Sequence, residues 1–177
     1  MEDSPAPGYH PVTKIFHWGI FFLLAGQFLV GYTLESLEDD DLAEDRLFTL
    51  HASLGITILV LSVFRLIWRR RRTLPPWAPS LTSFERRYSH TVERILYVLA
   101  LAIPLSGLAL AVADERPLPL IGKVEISEAL DASEVEDVFE GVHIATHLIF
   151  FAVFALHVGL VIKHQLLDRD GLLNRML

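Results

Sequence analysis

Four apolar blocks, each about as long as a bilayer is thick, limit what this 177-residue chain can become. They run from about Ile15 to Leu34, Leu47 to Trp68, Ile95 to Ala113 and Val142 to Leu166. The hydrocarbon core takes roughly 20 residues of helix. It offers no water to backbone N–H and C=O groups, so a single block of this length must satisfy them as a helix. The expected fold class is therefore all-α: an integral membrane four-helix bundle, a single domain over residues 1–177, with helices at about 15–34, 47–68, 88–113 and 140–166. A hydrophobic share of 52% and a mean hydropathy of +0.42 fit that class rather than a soluble domain. Pro104 and Gly107 lie inside the third block, where Pro104 is expected to kink the helix. The stretch MEDSPAPGYHPVTK is acidic and lacks the basic start and small-residue cleavage site of a signal peptide, so the first block is expected to remain in the mature protein. The 113–141 loop is the longest, and a short amphipathic helix is expected around Val124–Phe139.

Charge divides between the two ends of such a bundle. The N-terminus, the 69–94 loop, the C-terminus and the flanking helix ends carry twelve Lys and Arg against six Asp and Glu, a balance of +6. The 35–46 and 113–141 loops carry three against sixteen, or −13, and the whole chain is −7. Cytoplasmic loops are enriched in Lys and Arg. Both termini are accordingly expected in the cytoplasm of a multi-pass membrane protein. Arg69–Arg72 read as a topology signal that also binds anionic lipid, not nucleic acid. Trp18, Trp68 and Trp77 read as interfacial aromatics.

Four histidines interrupt the apolar blocks. Polar groups in hydrocarbon are costly and mark functional sites. His17 lies near the inner start of helix 1, His51 near the outer start of helix 2, His143 at the outer start of helix 4 and His157 toward its inner end. His143 and His157 are 14 residues apart, which leaves them about 40° apart on the wheel and about 21 Å apart along the axis. Two ligands on one face at that separation suit two haems stacked across the membrane between the helices. By depth, His51 pairs with His143 at the outer haem and His17 with His157 at the inner one. Two imidazoles per iron close the axial positions and favour electron transfer over oxygen binding. His147, one turn from His143, competes with it as ligand but sits about 80° from His157 on the wheel, so His143 is preferred. His10 precedes helix 1 and reads as solvent-exposed, and His90, at the cytoplasmic end of helix 3, reads as a structural group and not a ligand. Arg65, near the inner end of helix 2, could pair with a haem propionate or simply snorkel. There is no cysteine, which excludes disulfides, thiolate metal sites, iron–sulfur clusters and covalent haem attachment.

The segments KIFHWGIFFLL, TLHASLGITILVLSVFRLIWR, YSHTVERILYVLALAIPLSGL and GVHIATHLIFFAVFALHVGLVIKH carry a resemblance. With His-Trp opening helix 1, His and a Gly four later in helix 2, Pro-x-x-Gly in helix 3 and His-x13-His-x6-His in helix 4, the chain resembles the bacterial cytochrome b561 family from about residue 9 to 175. The resemblance implies four inner-membrane helices, two b haems on His17, His51, His143 and His157, and electron exchange between the quinone pool and a second redox partner. It also places a quinone-proximal histidine at His164, a residue type suited to supplying a proton to a quinone. A homodimer is implied as well.

The expected function is a transmembrane dihaem cytochrome b, a quinone-linked oxidoreductase using ubiquinone or a similar quinone. Some of the family is associated with moving electrons from superoxide to ubiquinone. Superoxide is an anion, and the acidic outer face repels it unless Arg46, Arg116 and Lys123 form a basic funnel; a cationic redox protein is attracted instead. The rival readings are a haem-bearing anchor subunit of a hydrogenase or dehydrogenase, and a His-based metal transporter.

Overall fold

The computed structural model describes residues 8–37, 41–119 and 132–177. It is all-helical, with α1 at Pro11–Glu35, α2 at Asp41–Arg71, α3 at Ser83–Ala113 and α4 at Ala132–Ile162. All four are long and apolar enough to cross a membrane. They alternate in direction. One end of the bundle, the terminal end, gathers both chain ends and the α2–α3 loop, and the other, the loop end, gathers the two remaining connections.

Each helix runs past its apolar block because local chemistry carries it on. Pro11 needs no amide partner in the first turn of α1. His10 caps that turn, its Nδ1 accepting the Val12 N–H at 3.2 Å. Thr82 and Glu85 form a capping box that starts α3 three turns before its apolar block: Thr82 Oγ1 accepts the Glu85 N–H, and Glu85 Oε2 accepts the Thr82 N–H at 2.8 Å. α3 continues without a break through Pro104. Of the amphipathic helix expected at Val124–Phe139, residues 124–131 lie outside the described residues, and 132–139 are the first turns of α4.

α1 packs on α2, α2 on α3 and α3 on α4. The core joins all four through Ile20, Leu24, Ile58, Val92, Leu99, Ile103, Phe150 and Val153. Between α1 and α4 the backbones approach at few points, and large rings bridge the seam instead. The outward faces keep Ile15, Phe22, Leu29, Val98 and Leu148 exposed, as lipid contact requires.

The terminal end is closed by the last residues of the chain. After α4, a widened π-type turn at Lys163–Asp168 leads through left-handed Arg169 and Gly171 into a 3₁₀ turn at Leu172–Arg175. Arg175 is buried, donates to the Pro76 carbonyl at 2.6 Å and lies over the Tyr9 ring. The Tyr9 N–H donates to the Arg175 carbonyl, and Trp18 Nε1 donates to the Met176 carbonyl at 2.9 Å. Lys14 reaches the Leu177 carbonyl. Arg175, one of the basic residues that make this end of the chain positive, is a buried clamp between the two chain ends.

Candidate functional site

The four membrane histidines meet in two pairs. His17 on α1 faces His157 on α4 near the terminal end, with ring centres 6.1 Å apart. His51 on α2 faces His143 on α4 near the loop end, with ring centres 6.4 Å apart. Two imidazoles on one metal, each bonded at about 2 Å, put their ring centres roughly 6 Å apart. Both spacings therefore match a shared metal between the rings, and all four side chains are half-buried.

The surroundings are shaped to these rings. A Cβ added at Gly107 would stand 2.7 Å from His143 Cε1, and one at Gly31 would stand 3.0 Å from His51 Cε1. At Gly107 a side chain would force the His143 ring to shift, and at Gly31 the His51 ring would have to give by a few tenths of an ångström. Gly55, four residues after His51, abuts Gln27 rather than a histidine. His143 Nδ1 is held by Ser106 Oγ at 2.9 Å, which leaves Nε2 to face inward. Gln27, buried in α1, donates to the His51 carbonyl at 3.0 Å and lies 3.1 Å from His51 Nε2. His51 Nδ1 and Arg65 Nε are buried with no hydrogen-bond partner, a sign of polar capacity reserved for another group.

Arg65 Nη2 lies 3.2 Å from His17 Nδ1, and its guanidinium stacks on Tyr97. A cation beside the His17/His157 pair could meet an anionic edge of a bound macrocycle. His147 packs edge-on against His143 at 4.2 Å and against Phe28. His10 and His90 are exposed, and His10 also meets Trp68. Arg69 belongs to the protein as much as to lipid, since it forms a two-pronged pair with Glu93 at 2.9 and 3.0 Å. Trp68 Nε1 donates to Thr13 Oγ1.

Rings link the two histidine levels. His17 touches Trp18, Trp18 touches Phe21, and Phe21 stacks on Phe154 at 6.0 Å. Phe154 stacks on Phe150 at 5.7 Å, Phe150 meets Phe28 at 5.4 Å, and Phe28 meets His147 at 5.4 Å.

His164 is set apart from both pairs. The resemblance implies a histidine within reach of a quinone here, but only 1% of its surface is exposed. Nδ1 lies 2.6 Å from Asp170 Oδ2, and Nε2 lies 3.5 Å from Glu85 Oε1 without a hydrogen bond. The cause is the π-type turn, which folds the chain back so that Asp168 and Asp170 cover the ring. Burial works against the Asp170 carboxylate, but hydrogen bonds from Ser80, the Leu172 N–H and His164 outweigh it and hold the pKa below its ordinary value.

At the loop end, Arg116 is paired with Glu44 at 2.9 Å and with Asp114, and lies over Phe48. Lys123 lies outside the described residues.

A family model described as prokaryotic cytochrome b561 matches residues 8–177. The chain belongs to the prokaryotic cytochrome b561 family. Membership brings b-type haem and electron transport to a bacterial multi-pass membrane protein. Cytochrome b561 homolog 2 of Escherichia coli (strain K12) is 28% identical over 170 residues, covering 96% of this chain and 90% of the relative. Cytochrome b561 homolog 1 of the same organism is 26% identical over 127 residues, 72% of each chain. A protein of Yersinia pestis named probable superoxide oxidase CybB is 24% identical over 128 residues, covering 72% of this chain and 73% of that one.

The arrangement fits the group that the family implies. Paired imidazoles at metal-sharing separation, glycines beside the rings and orphaned buried polar atoms are what a ligated macrocycle needs.

Proposed function

We propose that the chain is a transmembrane dihaem cytochrome b that carries electrons between a membrane quinone at the terminal end and a redox partner at the loop end. In this reading His17 and His157 hold one haem, His51 and His143 the second, and the haems supply the one-electron chemistry when bound. The observation that carries it is the pair of imidazole separations, 6.1 and 6.4 Å, at opposite ends of one bundle. Ser106 orients His143, and Arg65 offers charge to the haem edge beside His17. His164 is the side chain proposed to meet the quinone; with the ring 1% exposed, quinone entry requires Asp168 and the π-type turn to shift.

The partner at the loop end is proposed to be cationic. The connections there carry a balance of −13, and the Arg116 charge is offset by Glu44 and Asp114. Such a field repels superoxide and accelerates encounter with a basic protein. The superoxide-to-ubiquinone activity suggested by the Yersinia relative's name is thus the less favoured of the two. Charge bias also supports placing both termini in the cytoplasm.

The test is a dithionite-reduced minus oxidised spectrum of purified protein with haem counted per chain. Two low-spin b haems per chain are expected; none, after expression with ample haem, defeats the proposal. A basic cytochrome c should then exchange electrons at a rate that falls with ionic strength, whereas faster oxidation of superoxide than of any cationic donor would reverse the choice of partner.

A further inference from the structure

Three elements converge on the buried His164 ring. Glu85 comes from the first turn of α3, Asp168 from the end of the π-type turn, and Asp170 from the segment after it. One ligand-type atom from each of Glu85, His164 and Asp168 lies within 4.8 Å of the others. Acidic clusters are common without a function. This one also holds a histidine side chain that is 1% exposed and whose Nε2 makes no hydrogen bond while facing Glu85 Oε1 at 3.5 Å. A buried nitrogen in that state needs an explanation.

We propose that His164 Nε2, Glu85 Oε1 and Asp168 form a binding site for a divalent first-row transition cation such as Zn²⁺. The carboxylates behind the ligands are already in orienting positions. Asp170 Oδ2 takes the Nδ1 side of His164 at 2.6 Å, which leaves the Nε2 lone pair for a metal. Asp170 is itself fixed by the Leu172 N–H on Oδ1 at 3.0 Å. Glu85 uses Oε2 for the Thr82 cap, at 2.8 Å to N and 2.7 Å to Oγ1, so Oε1 remains for a cation. Ligand atoms on one tetrahedral Zn²⁺ lie roughly 3.3 Å apart, given bonds of about 2 Å. The Nε2–Oε1 separation, 3.5 Å, is close to that; Asp168 Oδ2 now lies 3.1 Å from Nδ1, and this 37% exposed side chain must rotate to the Nε2 side to complete the set. An imidazole with two carboxylates suits zinc better than magnesium.

A cation already sits between these carboxylates: Lys163 Nζ bonds Glu85 Oε1 at 2.8 Å and also reaches Asp168. Its side chain is 43% exposed and can swing into water when a divalent ion enters. Lys163 is therefore a built-in competitor for the site. The inference stands without the quinone reading. Where both hold, metal and quinone compete for the same side chain.

The experiment is calorimetric titration of the haem-loaded, quinone-free protein in detergent with Zn²⁺, with the haem spectrum recorded for each variant as the measure of intact fold. One site per chain is expected. Glu85→Gln, which can keep the Thr82 cap, and Asp168→Asn should each weaken it at least tenfold. Lys163→Met should tighten it about tenfold, and His90→Asn should leave it unchanged. Absence of binding, or binding that persists in both Glu85→Gln and Asp168→Asn, or that is lost in His90→Asn, overturns the proposal.

Discussion

Replacing Gly107 by alanine isolates the fit between α3 and His143 from general stability. The new Cβ would stand 2.7 Å from His143 Cε1 and 3.3 Å from both ring nitrogens, so reaching an ordinary contact of 3.4 Å requires a shift of about 0.7 Å. A metal–ligand bond tolerates about ±0.2 Å. Ser106, next in α3, pins the same ring at 2.9 Å and limits its escape. The two consequences have opposite signs. In helix propensity alanine is better than glycine by about 1 kcal/mol, while overpacking costs about 1–3 kcal/mol. The helix should persist and the haem at the loop end should go. Haem content is expected to fall from two per chain to one by pyridine haemochrome assay, with the remaining reduced-minus-oxidised band matching that of His51→Ala. Gly19→Ala, where nothing lies within 4 Å, is the control and should keep both haems. Two haems with an unaltered spectrum in Gly107→Ala would refute the ligand assignment of His143 and the cradle argument together.

Further outcomes follow from the same geometry. His17→Ala or His157→Ala should remove the terminal-end haem and spare the other; loss of both haems in each variant would mean the sites are not independent. His164→Gln should retain both haems and slow quinone reduction at least tenfold, and unchanged stopped-flow kinetics would take His164 out of the quinone site. Arg69→Ala and Glu93→Ala should each destabilise by about 1 kcal/mol, with the double variant no worse than either; additive losses in a thermal unfolding cycle would show that the pair is not coupled. Arg175→Ala removes a buried, charge-assisted bond worth about 2 kcal/mol and should raise amide exchange at Tyr9, whose N–H bonds the Arg175 carbonyl; protection equal to that of the parent chain would argue against the clamp.

The four spans were legible because bilayer thickness dictates their length, and the histidine pairs because depth and a 3.6-residue period determine which residues can meet. What escaped the sequence depended on contacts between distant segments. Nothing local marks Gly31 as the neighbour of His51, or Gln27 as its hydrogen-bond donor; both depend on how α1 packs on α2. The first turns of α3 were partly readable, since Thr82 and Glu85 have capping-box spacing, but a hydropathy profile ignores caps. The burial of His164 is not legible in the sequence. The π-type turn beyond it brought Asp168 and Asp170 over the ring, and Glu85 arrived from another helix. Nothing in the sequence marks Arg175 as buried, because its partners, Pro76 and Tyr9, are remote from it.

The layer of rings between the two histidine levels has an electrical consequence. No Asp, Glu, Lys or Arg occurs between Lys14 and Glu35, Arg46 and Arg65, Arg94 and Asp114, or Glu140 and Lys163. The middle of the bundle is filled instead by Phe21, Phe28, Phe150 and Phe154. Such a layer is a poor conductor of protons and no obstacle to an electron crossing a few ångströms between rings. Under the dihaem reading, an electron passing from one level to the other moves charge without a compensating proton. Each such transfer works with or against the membrane potential by up to about 2.3 kcal/mol per 100 mV. Membrane voltage would then bias the direction of flow alongside the potentials of the two partners.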